Sequence, residues 1–338
     1  MGVYIGIDLH SNNCMVVVIS EAGRALYEKR LRNDLGLVLS ELAAYRKRCA
    51  GVVVESTFNW YWLVDGLMEA GYRVHLANTA AIQQYKGLKY SDDRSDARWL
   101  AEMLRLKVLP EGYIYPKEAR ALRDLLRKRS QLVRQKVSQM LSIQDLVARN
   151  AGASLSGNAV KTLTGWELTR LLPDPLVARA AASNLKVYRC LVREIAELER
   201  VILSRVKSDA DFQNLLGVSG IGKALGLTVL LESGDMGRFA SAGHYASYCR
   251  CVGSEKLSNG KTKGKGNTKN GNKWLAWAFV EAANFAIRYE PLVKRFYERK
   301  KARTSGVVAV KAVAHKLARA TYHVLKDGVP FQAERAFV

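Results

Sequence analysis

From Lys117 to Arg149 the chain contains neither Gly nor Pro. Nothing in that run breaks a helix, and it reads as one long helix. Leu126, Val133, Met140 and Val147 recur every seven residues, the spacing of a coiled-coil seam. Arg120, Arg127 and Arg134 repeat the same interval on another stripe. The stretch Ala151–Gly157 is a flexible break. A second long helix is expected over about Leu185–Lys207, with Leu191, Ile195, Leu198 and Ile202 at the same kind of spacing. Two long helices joined by a loop region suggest an arm, antiparallel within the chain or formed between chains. Two ordinary core helices would give the same pattern. The arm divides the 338 residues into three expected parts: 1–114, coiled-coil and linker helices over 115–208, and a third domain over 209–338.

The first part has a β texture. Val3–Ile7 is an apolar strand ending at Asp8, Cys14–Ser20 a β-branched second strand, and Arg24–Leu31 a third, with turn residues between them. Asn33-Asp34 can cap a helix running to about Arg48. A buried strand Gly51–Val54, a helix around Asn59–Ala70, a strand Tyr72–Ala77 and a helix Asp92–Leu106 follow. Three hairpin-linked strands and then alternating helices and strands predict a mixed α/β sheet. The third part reads as mainly helical. A Gly-rich turn, Gly217–Gly222, precedes a helix over Lys223–Glu232, and further helices are expected over Trp274–Tyr289 and Val307–Leu325. Backbone N–H groups of such a turn can face phosphate.

Charge limits the partners. There are 53 Lys and Arg against 31 Asp and Glu, a formal net of +22, which favours a polyanion. Cys14, Cys49, Cys190, Cys249 and Cys251 form no CxxC pair, which argues against zinc and fits a reducing cytoplasm. The opening MGVYIGIDLH has no basic region followed by a long apolar one, so it reads as a strand and not a signal peptide. No apolar run reaches bilayer length, so no membrane partner is expected.

Four acids stand where chemistry could use them. Asp8 ends the first strand, Glu55 directly follows Val52-Val53-Val54, and Asp93 and Asp96 lie three apart near a helix start. Asp92 and Asp96, four apart, would also share a face. Converging carboxylates repel unless a cation sits between them, and hard oxygen ligands suit Mg²⁺ or Mn²⁺. Two such ions roughly 4 Å apart can hold both the attacking and the leaving oxygen of a phosphoryl displacement. Taken singly, Asp8 could form a turn and the helical acids could answer the helix dipole. His10 could line the site or serve packing.

A second constellation is the segment over 253–272, rich in Gly, Lys, Ser and Asn and nearly devoid of apolar residues. Lys256, Lys261, Lys263, Lys265, Lys269 and Lys273 make it a candidate nucleic-acid-binding loop. No His lies near Ser258 in sequence, so activation of its hydroxyl would have to come from a metal or a residue brought in by folding.

These motifs resemble, over essentially the whole chain, the insertion-sequence 110/1111 family of bacterial transposases, the DEDD recombinases. The resemblance runs through GIDLH at Gly6–His10, VVVEST at Val52–Thr57 and KYSDDRSDARWLAEML at Lys89–Leu104. It continues through LLGVSGIG at Leu215–Gly222, LLESGDMGRF at Leu230–Phe239, SNGKTKGKGNTKNGN at Ser258–Asn272 and WAFVEAANFA at Trp277–Ala286. It implies an RNase H/RuvC-like mixed-sheet domain, a coiled-coil arm and a small, mainly helical transposase domain. It places the metal-binding tetrad on Asp8, Glu55, Asp93 and Asp96, and the catalytic serine on Ser258, with Ser254 as the neighbouring alternative. It further implies a serine that links covalently to DNA, acids of one subunit near the serine of another, and a dimer or tetramer. A structured non-coding RNA that pairs with donor and target DNA, and a bacterial, nucleoid-associated location, complete the expectation. For nucleic-acid contact, the candidates beyond the loop are Arg120, Arg127 and Arg134. A metal-dependent RuvC-like nuclease or a DNA invertase acting without guide RNA, and a non-enzymatic nucleic-acid scaffold, are the competing readings.

Overall fold

The computed structural model describes residues 2–82, 92–265 and 270–337, without the side chains of Lys256, Leu257 and Lys265. The chain divides into two compact units, one of residues 1–117 with 254–270 and one of residues 118–253 with 271–338.

The first unit is built on a six-stranded mixed sheet. In chain order it runs β1 (Val3–Leu9), β2 (Asn13–Ser20), β3 (Ala25–Arg32), α1 (Leu35–Leu42) and a 3₁₀ turn over Ala43–Arg48. Then come β4 (Cys49–Glu55), α2 (Tyr61–Glu69), β5 (Val74–Ala77), α3 (Asp93–Arg105) and β6 (Glu111–Gly112). The strand order is β3-β2-β1-β4-β5-β6. The hairpins β1–β2 and β2–β3 are antiparallel, whereas β4 lies parallel to β1 and β5 parallel to β4. This is the RNase H-like mixed sheet expected from the sequence.

Both faces of the sheet are covered at β1, β2 and β4, which is why these strands carry unbroken apolar runs, whereas the edge strand β3 is mostly exposed and charged. Val3, Ile5, Ile7, Val16, Val18, Val52 and Val54 face α1 and α2 and pack with Val38, Leu42, Leu63 and Leu67. The alternate residues face α3: Met15, Val17 and Ile19 meet Ala97 and Ala101, and Val53 meets Leu100 and Leu104. By the same period of two, Asp8 and Glu55 project on the α3 face. Trp60 is buried in the opposite core.

The second unit is helical, as expected for the C-terminal region. It opens with α4 (Lys117–Ala151), α5 (Gly157–Thr162), α6 (Gly165–Leu171), α7 (Pro175–Val206), α8 (Ala210–Leu216), α9 (Lys223–Ser233) and α10 (Ala242–Tyr248). After the segment that belongs to the first unit come α11 (Lys273–Tyr289), α12 (Pro291–Arg303), α13 (Gly306–Lys326) and α14 (Ala333–Phe337). At 35 residues, α4 is about 50 Å long.

Helices α4 and α7 pair antiparallel within the one chain. Leu126 clusters with Ile202 and Val206, and Ile143 and Val147 cluster with Ala181, Leu185 and Tyr188. Arg129 pairs with Glu199 at 2.5 Å between these ends, and Asn184 donates to Ser142 Oγ at 2.7 Å. The expected seam holds only in part. Leu126, Val147, Ile195 and Ile202 are buried, whereas Val133, Met140, Leu191 and Leu198 are half-buried. Short helices α5 and α6 fill the far end with Val160, Leu163, Leu168 and Leu172.

The remaining helices enclose a core around Tyr245, Phe279, Val313 and Leu317. Gly220, at φ 87°, lies directly on α11, where a Cβ would sit 2.1 Å from the Ala282 carbonyl oxygen. The Gly-rich turn is therefore a close backbone approach between helices.

Two strands that the loop-like composition of 253–272 conceals, β7 (Glu255–Ser258) and β8 (Lys261–Lys265), form a hairpin. Asn259 and Gly260 have φ of 51° and 71°, the positive pair that a two-residue turn requires.

Candidate functional site

The strand register brings Asp8 and Glu55 together. In the parallel pair β1–β4, Ile7 stands opposite Val54, so Asp8 and Glu55 are the next residues out at adjacent strand ends. Their carboxyl groups share a hydrogen bond.

Helix α3 supplies the other acids, and Gly6 lets it come close. A Cβ at Gly6 would lie 1.9 Å from the Ala97 carbonyl oxygen and 2.8 Å from the Ala101 nitrogen. Only a residue with no side chain permits this packing, and it sets the first turn of α3 over the end of β1. Asp92 caps that turn: its carboxylate accepts from the Ser95 N–H at 2.8 Å, and Ser95 Oγ accepts from the Asp92 N–H at 2.9 Å. Asp92 is thereby engaged as a cap. Asp96, one turn on, faces Asp8 and Glu55 across a cavity of about 300 Å³, which Thr79, Ile82, Trp99 and Leu100 complete.

Asp93 is not among the lining residues. Its Oδ2 accepts from Arg30 at 2.5 Å and lies 3.1 Å from His10 Nε2, which is itself 3.3 Å from Asp8 Oδ2. His10 thus links the fourth acid to the first, and ligand atoms of Asp8, His10 and Asp93 all lie within 4.8 Å of one another. Neither bridging side chain stands out in the sequence. His10 reads there equally well as packing, and Arg30 gives no signal. Arg30 reaches the site from β3 because Asp8 pairs with Met15, and Met15 with Arg30.

The electrostatics divide accordingly. Burial raises the Glu55 carboxyl to about 8, helped by its hydrogen bond to Asp8 and by the charges of Asp8 and Asp96. Asp93 is driven the other way, chiefly by the Arg30 hydrogen bond and then by His10. Within one cluster, burial and like charge hold the Glu55 proton on, while the Arg30 guanidinium keeps Asp93 ionised. The donor set is all oxygen on the cavity side, with one imidazole beside it, and it fits a hard divalent cation.

Ser258 is exposed at the end of β7, directly opposite Lys261 across the turn. Opposite residues project to one face, so the Ser258 and Lys261 side chains leave the hairpin on the same side. Ser254, before β7, is half-buried. Asn270, at the far end of the segment, accepts from Asn78 Nδ2 at 3.0 Å, next to the cavity-lining Thr79. Lys261, Lys263 and Lys273 are exposed. Lys269 and the side chains of Lys256 and Lys265 lie outside the described residues.

On the arm, the three arginines fare differently. Arg120 is 5% exposed. Arg127 forms a two-pronged pair with the buried Glu232, at 2.6 and 2.8 Å. Arg134 remains exposed, 5.4 Å above the ring of Trp274. Arg120 and Arg127 face protein because the stripe they share turns inward there.

Comparison with known proteins bears on both halves of the chain. Residues 5–150 match the model of the DEDD transposase of IS110 elements, described as Transposase, and residues 202–298 match the model described as Transposase IS116/IS110/IS902 family. The chain belongs to the IS110 family of transposases. Among its relatives, the transposase for insertion sequence element IS1328 of Yersinia enterocolitica is 26% identical over 336 residues, 97% of this chain and 98% of that protein. A probable family 20 transposase of Pseudomonas aeruginosa is 27% identical over 237 residues, 68% of each chain. The transposase for IS1111A of Coxiella burnetii is 23% identical, over 84% of this transposase and 78% of its own length. Among the described residues, no helix is long and apolar enough to cross a membrane.

Proposed function

We propose that this transposase excises and inserts its insertion sequence by cutting and rejoining double-stranded DNA, with the acid cavity and Ser258 serving one reaction. The observation that carries the reading is the meeting of Asp8, Glu55 and Asp96 at one cavity, with Asp93 joined to it through His10. Those four acids would hold Mg²⁺ or Mn²⁺. Bound there, the cation would supply positive charge to phosphoryl oxygens during displacement.

The chain's own groups account for the rest. Ser258 Oγ attacks a backbone phosphorus, an O–P bond forms, and the bond from phosphorus to the sugar oxygen breaks. The serine proton ends on the freed sugar oxygen, so the phosphodiester is kept as a phosphoserine link that the reverse reaction can pass to another strand. Lys261, on the same face as Ser258, favours the negative charge gathering there. Exposed Lys263, Lys273 and Arg134 serve the DNA backbone.

A denaturing gel tests the nucleophile. Ser258→Ala and Asp8→Ala should both abolish strand exchange, and only serine-containing protein should leave a trapped protein–DNA adduct. An adduct that persists in Ser258→Ala, with Ser254→Ala removing it, would move the role to Ser254. Metal-dependent cutting with no adduct in any protein would make the chain a nuclease that uses water. The resemblance expects the serine to come from a second copy, whereas Asn78 and Asn270 join the serine segment to the acid domain of its own chain. A mixture of Asp8→Ala and Ser258→Ala proteins decides: exchange returns only if different copies supply the two parts. Guidance by a structured RNA from the element's ends rests on the resemblance and on the net charge of +22. Sequencing the RNA that copurifies with the protein tests it, and recovery of no element-derived RNA would reject it.

A further inference from the structure

Three elements of the arm enclose a cationic pocket, separate from the acid cavity. Lys136 of α4, Lys161 of α5, and Lys186, Arg189 and Arg193 of α7 line a space of about 770 Å³ with Tyr188 and Val192. The α7 cations are spaced three and four apart, which stacks them on one helical face.

Their pairing sets them apart. Elsewhere on the arm, Arg129 is paired with Glu199, Arg200 with Glu197 and Arg127 with Glu232. Among the described residues, none of the five pocket cations has a carboxylate partner. Arg189 instead donates to the Leu163 carbonyl at 2.8 Å and Lys161 to Asn158 Oδ1 at 2.8 Å, which fixes both heads at the rim. Five like charges gathered without a counter-charge repel one another, and an anion with repeating charge relieves that.

The aromatic content narrows the ligand. Tyr188, the pocket's one ring, is 4% exposed and offers no face on which an unpaired base could stack. The pocket can neutralise phosphates but has no means to read a single strand. Duplex DNA carries one charge per roughly 1.7 Å of axis, a density suited to clustered cations. We propose that this arm pocket binds the phosphodiester backbone of duplex DNA, through residues none of which line the acid cavity and without regard to sequence.

The test uses the full chain with a chelator present, so that the acid cavity plays no part. Affinity for a short fluorescent duplex of random sequence is measured against salt concentration. Lys186 and Arg193 are both exposed. The double variant Lys186→Ala/Arg193→Ala should lower the slope of log affinity against log salt by about 1.8, or about 0.9 for each phosphate no longer neutralised, with an unchanged melting temperature. The charge-keeping variant Lys186→Arg/Arg193→Lys should keep the parent slope. An unchanged slope in the alanine variant would overturn the proposal. So would an equal drop in the charge-keeping variant, or a drop confined to duplex RNA of the same sequence.

Discussion

Glu55 and Asp93 belong to one cluster, yet their surroundings push them in opposite directions. Glu55 holds its proton to about 8 in the folded chain, against an ordinary value of 4.5. A raised carboxyl contributes stability that is fully present below the unfolded value and is lost as pH rises through the folded one. With a chelator present, the melting temperature should therefore fall as pH rises from about 5 to about 8. Glu55→Gln, which cannot ionise, should flatten that fall and melt higher than the parent at the upper end. A scan showing the same decline in both proteins would remove Glu55 as its source. Asp93 behaves in the reverse sense: its pairing with Arg30 stabilises above the ordinary carboxylate range and is lost on acidification. At this scale, Asp8, Glu55 and Asp96 were legible because strand ends and helix faces follow from period alone. Arg30 was not, since its nearness to Asp93 depends on the register of two successive hairpins.

Among the elements, α3 is placed by what Gly6 lacks. Gly6→Ala puts a methyl within 1.9 Å of the Ala97 carbonyl, and overpacking of this kind costs about 1–3 kcal/mol or more. Denaturant unfolding should show at least that decrease, and titration with Mn²⁺ should show weakened binding, because Asp96 moves with its helix. A variant with parent stability would mean that α3 yields freely. Arg127 offers a parallel case on the arm. Its partner Glu232 is 1% exposed and also accepts from Asn272 Nδ2 at 2.8 Å, at the start of α11. Removing one member of a buried pair leaves a desolvated charge, so Arg127→Ala should cost about 3 kcal/mol, the lower end for such pairs because Arg127 is partly exposed. Unfolding with the parent midpoint would contradict this. The long helices were readable because a Gly- and Pro-free run leaves few alternatives. Strands β7 and β8 were not, because they consist mostly of Lys, Glu and Gly, and the turn, not burial, brings them together. The short α5 and α6 gave too few periods to count.

For the whole molecule, the division into two units predicts two separable unfolding transitions. Mg²⁺ held by the four acids, as proposed above, would stabilise only the unit that binds it. Calorimetry with added Mg²⁺ should therefore raise one transition and leave the other in place, and Asp8→Ala should abolish the shift. Movement of both transitions together would show that the halves unfold as one body. The α/β half, the arm and the helical half were all visible along the sequence. That residues 254–270 group with the first unit was not, since composition carries no record of where a segment returns.

That return has a consequence for synthesis. The bases of the excursion are clamped side by side in the second unit, where the Asn272 N–H donates to the Tyr248 carbonyl at 2.6 Å and the Arg250 guanidinium donates to the Gly271 carbonyl at 2.8 Å. The ribosome must translate past Asn270 before the acid-bearing unit is whole. A product that stops within the arm would carry Asp8, Glu55, Asp93 and Asp96 but never Ser258, so an interrupted message would yield a protein unable to complete the exchange proposed for the finished chain.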